Sequence, residues 1–281
     1  MSQVLALSEH QHPAKPAMDD KQLNWLCDSI ISNRFLPVPP QEDVFVGDGD
    51  YRAIGAEFLG HFVRMGGLHP TEDVLDIGCG IGRIAVPLTQ YLDTDMAKYC
   101  GLDPVASGID WCKRAITPVY PNFRFESRDV RNELYNPEGA INGRSMRLPF
   151  QDGTFDFTAM ISVATHLPPD EINTYCSEVF RVLRPGGRLF MTAFVIREED
   201  QTSKPDRDAR LTGFEKAEGK PCWHLQGENP MAAVGFDDAF IDGALTSAGF
   251  EIQTKSYGNW RGGDRPHYQD FLIAHKPRRG V

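Results

Sequence analysis

Val74-Leu75-Asp76-Ile77-Gly78-Cys79-Gly80-Ile81-Gly82-Arg83 is the stretch that decides how this chain folds. It reads as a buried strand with an acidic residue near its end, a glycine-rich turn and a helix start. The glycines stand at alternate positions, as G-x-G-x-G, whereas a dinucleotide fingerprint has a longer gap before its last glycine. Asp103 follows Gly82 by 21 residues, just after a second apolar run. A strand-end carboxylate at that distance suits a ribose diol. The pair points to a nucleoside-containing cofactor with no bridging phosphates.

Outward from this turn, strand and helix alternate. Apolar strand candidates are 73–77, 98–102, 122–127, 154–161 and 187–194, and helix candidates are 83–92, 105–116 and 170–183. In the last helix, Ile172, Tyr175, Cys176, Val179 and Leu183 recur near a 3.6-residue period. Arg184-Pro185-Gly186-Gly187 closes it with a proline and glycines. Alternation of this kind predicts a parallel sheet wrapped by helices with right-handed crossovers, an α/β class fold.

Before the turn, residues 1–17 are polar and read as a loose tail. Helical spacing over 18–33 runs through Leu23, Leu26, Cys27, Ile30 and Ile31, and Pro37-Val38-Pro39-Pro40 breaks it. A second helix is expected over 51–65, with Ile54, Phe58, Leu59 and Phe62 on one side. After the core, charges crowd residues 196–236, including Lys204, Asp206 and Arg207. So long an interruption reads as a functional cover or a flexible loop. A helix near 237–248 and strands near 250–257 and 269–275 close the chain. The expected organisation is a tail and cap helix over 1–50 and one domain over 51–281, with 196–236 as its lid.

The bulk numbers restrict the functions available. A chain of 281 residues supports one large domain. Its hydrophobic fraction is 41% and its charged fraction 24%, ordinary for a globular protein. The formal net charge of -10 opposes broad nucleic-acid binding, although Arg124, Arg128 and Arg131 offer a local basic patch. The six cysteines contain no C-x-x-C pair and read as reduced, buried thiols. No apolar run approaches the ~20 residues needed to span a bilayer. No basic segment precedes an apolar one at the N-terminus, so a cytoplasmic location is expected by elimination. The histidines are scattered without ligand spacing to a carboxylate or thiol, so no metal is expected.

Taken together, VLDIGCGIGR, Asp103 in GLDP, Arg128-Asp129-Val130, LPFQDGTFDFTAMISVATHL and EVFRVLRPGGRLFMTAF resemble the class I S-adenosylmethionine-dependent methyltransferases. The likeness runs from about residue 51 to 195. The tail YGNWRGGDRPHYQDFLIAHK resembles, more weakly, a bacterial small-molecule branch. The resemblance implies a Rossmann-like, doubly wound sheet of seven strands whose last strand is antiparallel. It also implies S-adenosylmethionine as cofactor and S-adenosylhomocysteine as product.

The same resemblance assigns roles. Gly78 and Gly80 let the backbone approach the ligand, with Cys79 between them, and Gly82 allows close strand–helix packing. The following helix N-terminus offers free N–H groups to the ligand carboxylate. Asp76 sits near the ligand's amino group. Asp103 accepts the ribose hydroxyls or caps the next helix, where Pro104 suits the first position. Asp129 takes the adenine amine, or is a solvated turn residue in a path lengthened by residues 131–147, and Val130 packs on the ring. Tyr51, with Arg52, covers the methionyl end or opens an ordinary surface helix.

Ile161 and Ser162 lie at the carboxyl edge of the sheet, where ligands bind in open α/β folds. His166 beyond them is a candidate general base, or a residue that caps the loop or packs on the cofactor. Phe214, Trp223, His224 and Trp260 are candidates to line a substrate pocket or to anchor loops; Arg261, His267 and Tyr268 are weighed in the same way.

Methyl transfer from a sulfonium needs alignment and water exclusion more than activation, and a hydroxyl acceptor also needs a base. A small-molecule acceptor is expected, with O-methylation ahead of N- or C-methylation. Two other readings stay open, a module that binds the cofactor without catalysis and an NAD-type oxidoreductase. The acceptor and oligomeric state are not legible.

Overall fold

The structure, a computed structural model, describes residues 18–45, 47, 49–202 and 208–278. The tail expected over 1–17 lies outside the described residues, as do Lys204, Asp206 and Arg207. The chain begins with helix α1 (Asp20–Ser32) and helix α2 (Tyr51–Arg64). Asp19 caps α1 by accepting from the Gln22 N–H at 2.8 Å, while Gln22 reaches back to the Asp19 N–H.

The central sheet is laid down by β1 (Val74–Ile77), β2 (Tyr99–Asp103), β3 (Phe123–Ser127), β4 (Phe155–Met160) and β5 (Leu183–Ile196). Their order is β3-β2-β1-β4-β5, all parallel. Beyond β5 lies β10 (Asp270–His275), antiparallel, and then β9 (Glu251–Ser256). These seven strands form the expected Rossmann-like sheet with an antiparallel last strand.

Helices α3 (Ala85–Leu88), α4 (Ala106–Ala115), α5 (Pro169–Val182) and α7 (Asp238–Ala248) complete the wrapping. Strand residues alternate between the two faces. Val74 packs into a cluster with Leu59 and Phe62 of α2, whereas Leu75 and Ile77 join Ile172, Tyr175 and Val179 of α5.

Three expectations need correction. The helix expected over 83–92 is a single turn: Pro87 has no N–H to bond the Arg83 carbonyl, so the helix starts late, and after Leu88 the chain continues as turns. The Arg184-Pro185-Gly186-Gly187 punctuation does not precede a strand starting at 187. It lies inside β5 as a bulge, with a register shift opposite Phe155 and Phe157 and Gly186 at φ 86°.

The third correction concerns the insertion. Its described part is not a bare loop: after the short helix α6 (Glu198–Thr202) it forms β6 (Phe214–Lys216), β7 (Cys222–Leu225) and β8 (Val234–Asp237). β8 pairs parallel to the end of β5, and the three strands extend the sheet to ten. A small cluster of Phe194, Ile196, Ala233 and Trp260, with Phe214 and Trp223 against it, supplies the apolar burial that makes this meander stable.

Candidate active site

A cavity of about 800 Å³ opens at the carboxyl edge of β1, β2 and β4 and runs toward β10. Its first half is built by the glycine turn. Gly78, Gly80 and Gly82 have φ of 75°, 55° and 79°, a region costly for any residue with a Cβ. A Cβ on Gly82 would stand 2.9 Å from Cys112 Sγ, so this glycine allows the close approach of α4. On Gly78 a Cβ would meet Val163 at 2.2 Å, so that bend is also crowded by the loop after β4.

Asp103 ends β2 and lines the cavity. One carboxylate oxygen accepts from the Gly80 N–H and the other from the Val105 N–H, both at 2.8 Å. Each oxygen keeps a second lone pair for a diol. The expected cap role is not seen: α4 starts at Ala106 with Val105 at its N-cap, so Pro104 is not its first residue, and Asp103 instead pins the chain just before the helix. Burial raises the Asp103 carboxyl to about 6, opposed by those two N–H groups. Cys79, Pro104, Val130, Ile161 and Ser162 line the same cavity.

Asp76 lies beneath the turn, fully buried. The Tyr99 hydroxyl donates to its Oδ2 at 2.5 Å, and its Oδ1 is buried with no partner among the described residues. Burial raises this carboxyl to about 7; the Tyr99 bond lowers it and the charge of Asp103 raises it. An orphaned buried oxygen beside a positive-φ turn is a feature that a cationic ligand group would satisfy.

Some expected residues are placed elsewhere. Tyr51 does not line the cavity; its hydroxyl donates to the Ile81 carbonyl at 2.8 Å and braces the turn from behind. Asp129 is exposed and spends its carboxylate on Asn136 Nδ2 at 2.9 Å and the Ala140 N–H at 3.2 Å, closing the 131–147 loop. Asp129 does not line the cavity, and both of its donors come from the lengthened loop.

The four substrate candidates of the C-terminal part do not line this cavity either. Trp260 is buried and donates to Asp270 at 2.9 Å, with Phe214 packed on it. Trp223 donates to Asp237 at 2.8 Å, and His224 Nδ1 lies 2.8 Å from the Pro230 carbonyl. All four anchor the meander and the loop before β10.

His166 does line the cavity. Its Nδ1 lies 2.9 Å from the Met231 carbonyl oxygen. A carbonyl only accepts, so Nδ1 carries the proton and the neutral ring keeps its lone pair on Nε2. Burial pushes its pKa below the usual histidine value, against the effect of that carbonyl.

His267 also lines the cavity, but both its nitrogens are used, by the Gln269 carbonyl at 2.7 Å and Ser256 Oγ at 2.8 Å. Ser162 has φ 57°, the one positive value at a non-glycine among the described residues. Such a conformation costs about 1–3 kcal/mol and concentrates at functional sites.

Sequence reasoning gave no role to several lining residues. Glu57 and Phe58 come from α2, Tyr135 from the 131–147 loop, Arg83 from the end of the glycine turn and Gln269 from the segment entering β10. Arg83 stood in the diagnostic stretch and was the readable one; Gln269 carried no local signal. Among the described residues there is no group of three or more metal-ligating side chains, and no helix is long and apolar enough to cross a membrane.

Residues 75–191 match the family described as a methyltransferase domain. The matched segment is similar to that family, and the solved structures below share the class I methyltransferase fold. Over 158 residues it is 27% identical to the sterol 24-C-methyltransferase of Schizosaccharomyces pombe, covering 56% of this chain and 37% of that one. It thus spans well under two thirds of the length of this curated relative. A SAM-dependent methyltransferase from Methanosarcina mazei has a TM-score of 0.51 at 24% identity, covering 75% of this chain and 95% of its own. The [4+2]-cyclase SpnF has a TM-score of 0.53 at 18% identity, covering 95% and 100%. The superfamily fold is thus shared, and the reaction has to be argued from the site.

Proposed function

We propose that this methyltransferase-fold chain binds S-adenosylmethionine over β1 and β2 and passes its methyl group to a small, mostly apolar acceptor held over β4, β5 and β10. The observation that carries the proposal is the single cavity joining Asp103 and the glycine turn to His166 and the apolar side chains Ile54, Phe58 and Phe271. When bound, the cofactor supplies a methyl group on a positively charged sulfur. Asp103 accepts the ribose hydroxyls with its two remaining lone pairs. Asp76 Oδ1 takes the amino group, directly or through water, and Arg83 provides positive charge for the carboxylate. Val130, Met146 and Leu148 offer the adenine an apolar slot.

Oxygen is favoured as the receiving atom, because Nε2 of neutral His166 can accept the proton of an acceptor hydroxyl. The name of the S. pombe relative favours carbon as the second reading. The likeness to a [4+2]-cyclase supports a third, in which the pocket does other chemistry. A small molecule is preferred over nucleic acid given the net charge of -10.

Calorimetry with S-adenosylhomocysteine tests the cofactor half, and a labelled-methyl screen of phenols, alcohols, amines and sterols tests the other half. Absent cofactor binding sinks the whole reading. Binding with label on carbon products alone removes the oxygen preference.

A further inference from the structure

Gln269 stands where β10 begins, and because β10 is antiparallel its first residues lie at the carboxyl edge of the sheet. From β1 the strand order β4, β5, β10 places this point three spacings away, roughly 14 Å from the glycine turn. That is the acceptor half of the cavity, between Phe58, Tyr268 and Phe271.

The Gln269 carboxamide is oriented by two hydroxyls. Thr192 Oγ1 accepts the Ser162 backbone N–H at 2.7 Å and donates its own proton to Gln269 Oε1 at 2.5 Å. The Ser162 hydroxyl reaches the same Oε1 at 3.0 Å. Both hydroxyls therefore meet the carboxamide on its oxygen side. The Nε2 group is left with no partner among the described residues, on a side chain that lines the cavity. The unusual backbone of Ser162 belongs to the same device, since the bend aims its N–H at Thr192 and its hydroxyl at Gln269. His267 holds the Gln269 carbonyl at 2.7 Å and fixes the backbone below.

We propose that Gln269 is the specificity-determining donor of the acceptor site, offering its carboxamide N–H pair to an uncharged, hydrogen-bond-accepting oxygen on an otherwise apolar acceptor. The inference rests on the methyl-transfer reading and deepens it. A half-buried donor pair beside Phe58 and Phe271 favours an acceptor that offers the oxygen over one that lacks it.

The test uses the full chain loaded with S-adenosylhomocysteine. The probes are a dimethylaminonaphthalene bearing a propionyl ketone, whose emission shifts to the red when its carbonyl accepts a hydrogen bond, and its ketone-free parent. Wild type is expected to bind the ketone probe about three- to tenfold more tightly than Gln269→Leu, with redder emission. The parent is expected to bind both proteins alike. Gln269→Glu keeps the shape but loses the donors, and should lose at least as much. Thr192→Val should lose less, because it frees the carboxamide to rotate. Equal affinity and equal emission for the ketone probe in wild type and both Gln269 variants would overturn the proposal, as would failure of the probe to bind wild type. Failure of the cofactor reading registers separately, as absent S-adenosylhomocysteine binding in calorimetry.

Discussion

The Nδ1 atom of His166 and the carbonyl oxygen of Met231 lie 2.9 Å apart. This contact ties the loop after β4 to the insertion between β7 and β8, and it sets the tautomer of the imidazole that lines the cavity. The insertion therefore acts on the site through a backbone carbonyl, not through the aromatic residues that seemed suited to touch substrate.

Replacing His166 by Gln should slow transfer to a hydroxyl acceptor by about 10²–10⁴-fold, the usual range for a general base. S-adenosylhomocysteine affinity should change little. In wild type, kcat should fall on the acid side below the ordinary histidine range, since burial depresses this pKa. Steady-state kinetics against pH check this; unchanged turnover in the variant removes histidine from the base role.

Removing the Asp103 carboxylate, as in Asp103→Ala, should weaken cofactor binding by about 10- to 150-fold, the loss of charge-assisted hydrogen bonds. The pH dependence follows from its carboxyl being raised to about 6. Only the ionised form accepts both hydroxyls, so affinity should rise with pH up to about 6 and then level off. Asp103→Asn should be flatter. Isothermal titration across this range decides, and an identical slope in wild type and Asn variant assigns the dependence elsewhere.

Asp76 makes a stability prediction of unusual sign. Its folded carboxyl is raised from 3.8 to about 7, so between those values the folded state binds more protons than the unfolded one. Stability is lost as pH rises through that window, by up to about 4 kcal/mol for a shift of this size. The Tm of cofactor-free Asp76→Asn relative to wild type should therefore improve from pH 5 to about pH 7 and level off above it. A difference in Tm that does not change with pH contradicts the buried, unpaired carboxylate.

The glycine turn gives a sharper loss. Gly78→Ala places a Cβ 2.2 Å from Val163 on a backbone at φ 75°. The variant should lose measurable cofactor binding and melt earlier, whereas Gly153→Ala, at φ 64° with open space around it, should show only the conformational cost of about 1 kcal/mol. Paired melting curves and cofactor titrations separate crowding from conformation.

Asp129 tests a correction. Asp129→Ala should loosen the 131–147 loop, which its two hydrogen bonds close, yet change cofactor affinity less than Asp103→Ala does. Comparable losses in the two would restore the adenine contact.

How far the sequence went depends on the range of each interaction. The strand, the alternate glycines and Asp103 were legible because a short buried run, a φ constraint and a strand-end carboxylate leave local marks. The partners of Asp129 were not legible, because Asn136 and Ala140 lie in a loop whose path no local pattern predicts. Phe214, Trp223 and Trp260 were ambiguous because a large aromatic residue has the same composition signal whether it lines a pocket or seals a meander. Gln269 was invisible, since its orientation depends on Ser162 and Thr192, contributed by separate parts of the sheet edge.

The amino-acid order by itself therefore determined the parallel αβ core and the glycine turn at its carboxyl edge, since both follow from periodicity and backbone permissiveness over a few residues. Tertiary structure alone decided which nitrogen of His166 is free, which oxygen of Asp76 is orphaned and which side of Gln269 meets Ser162 and Thr192. Those outcomes depend on hydrogen-bond partners brought together by strand order, and a donor's direction exists only once its distant acceptor is in place.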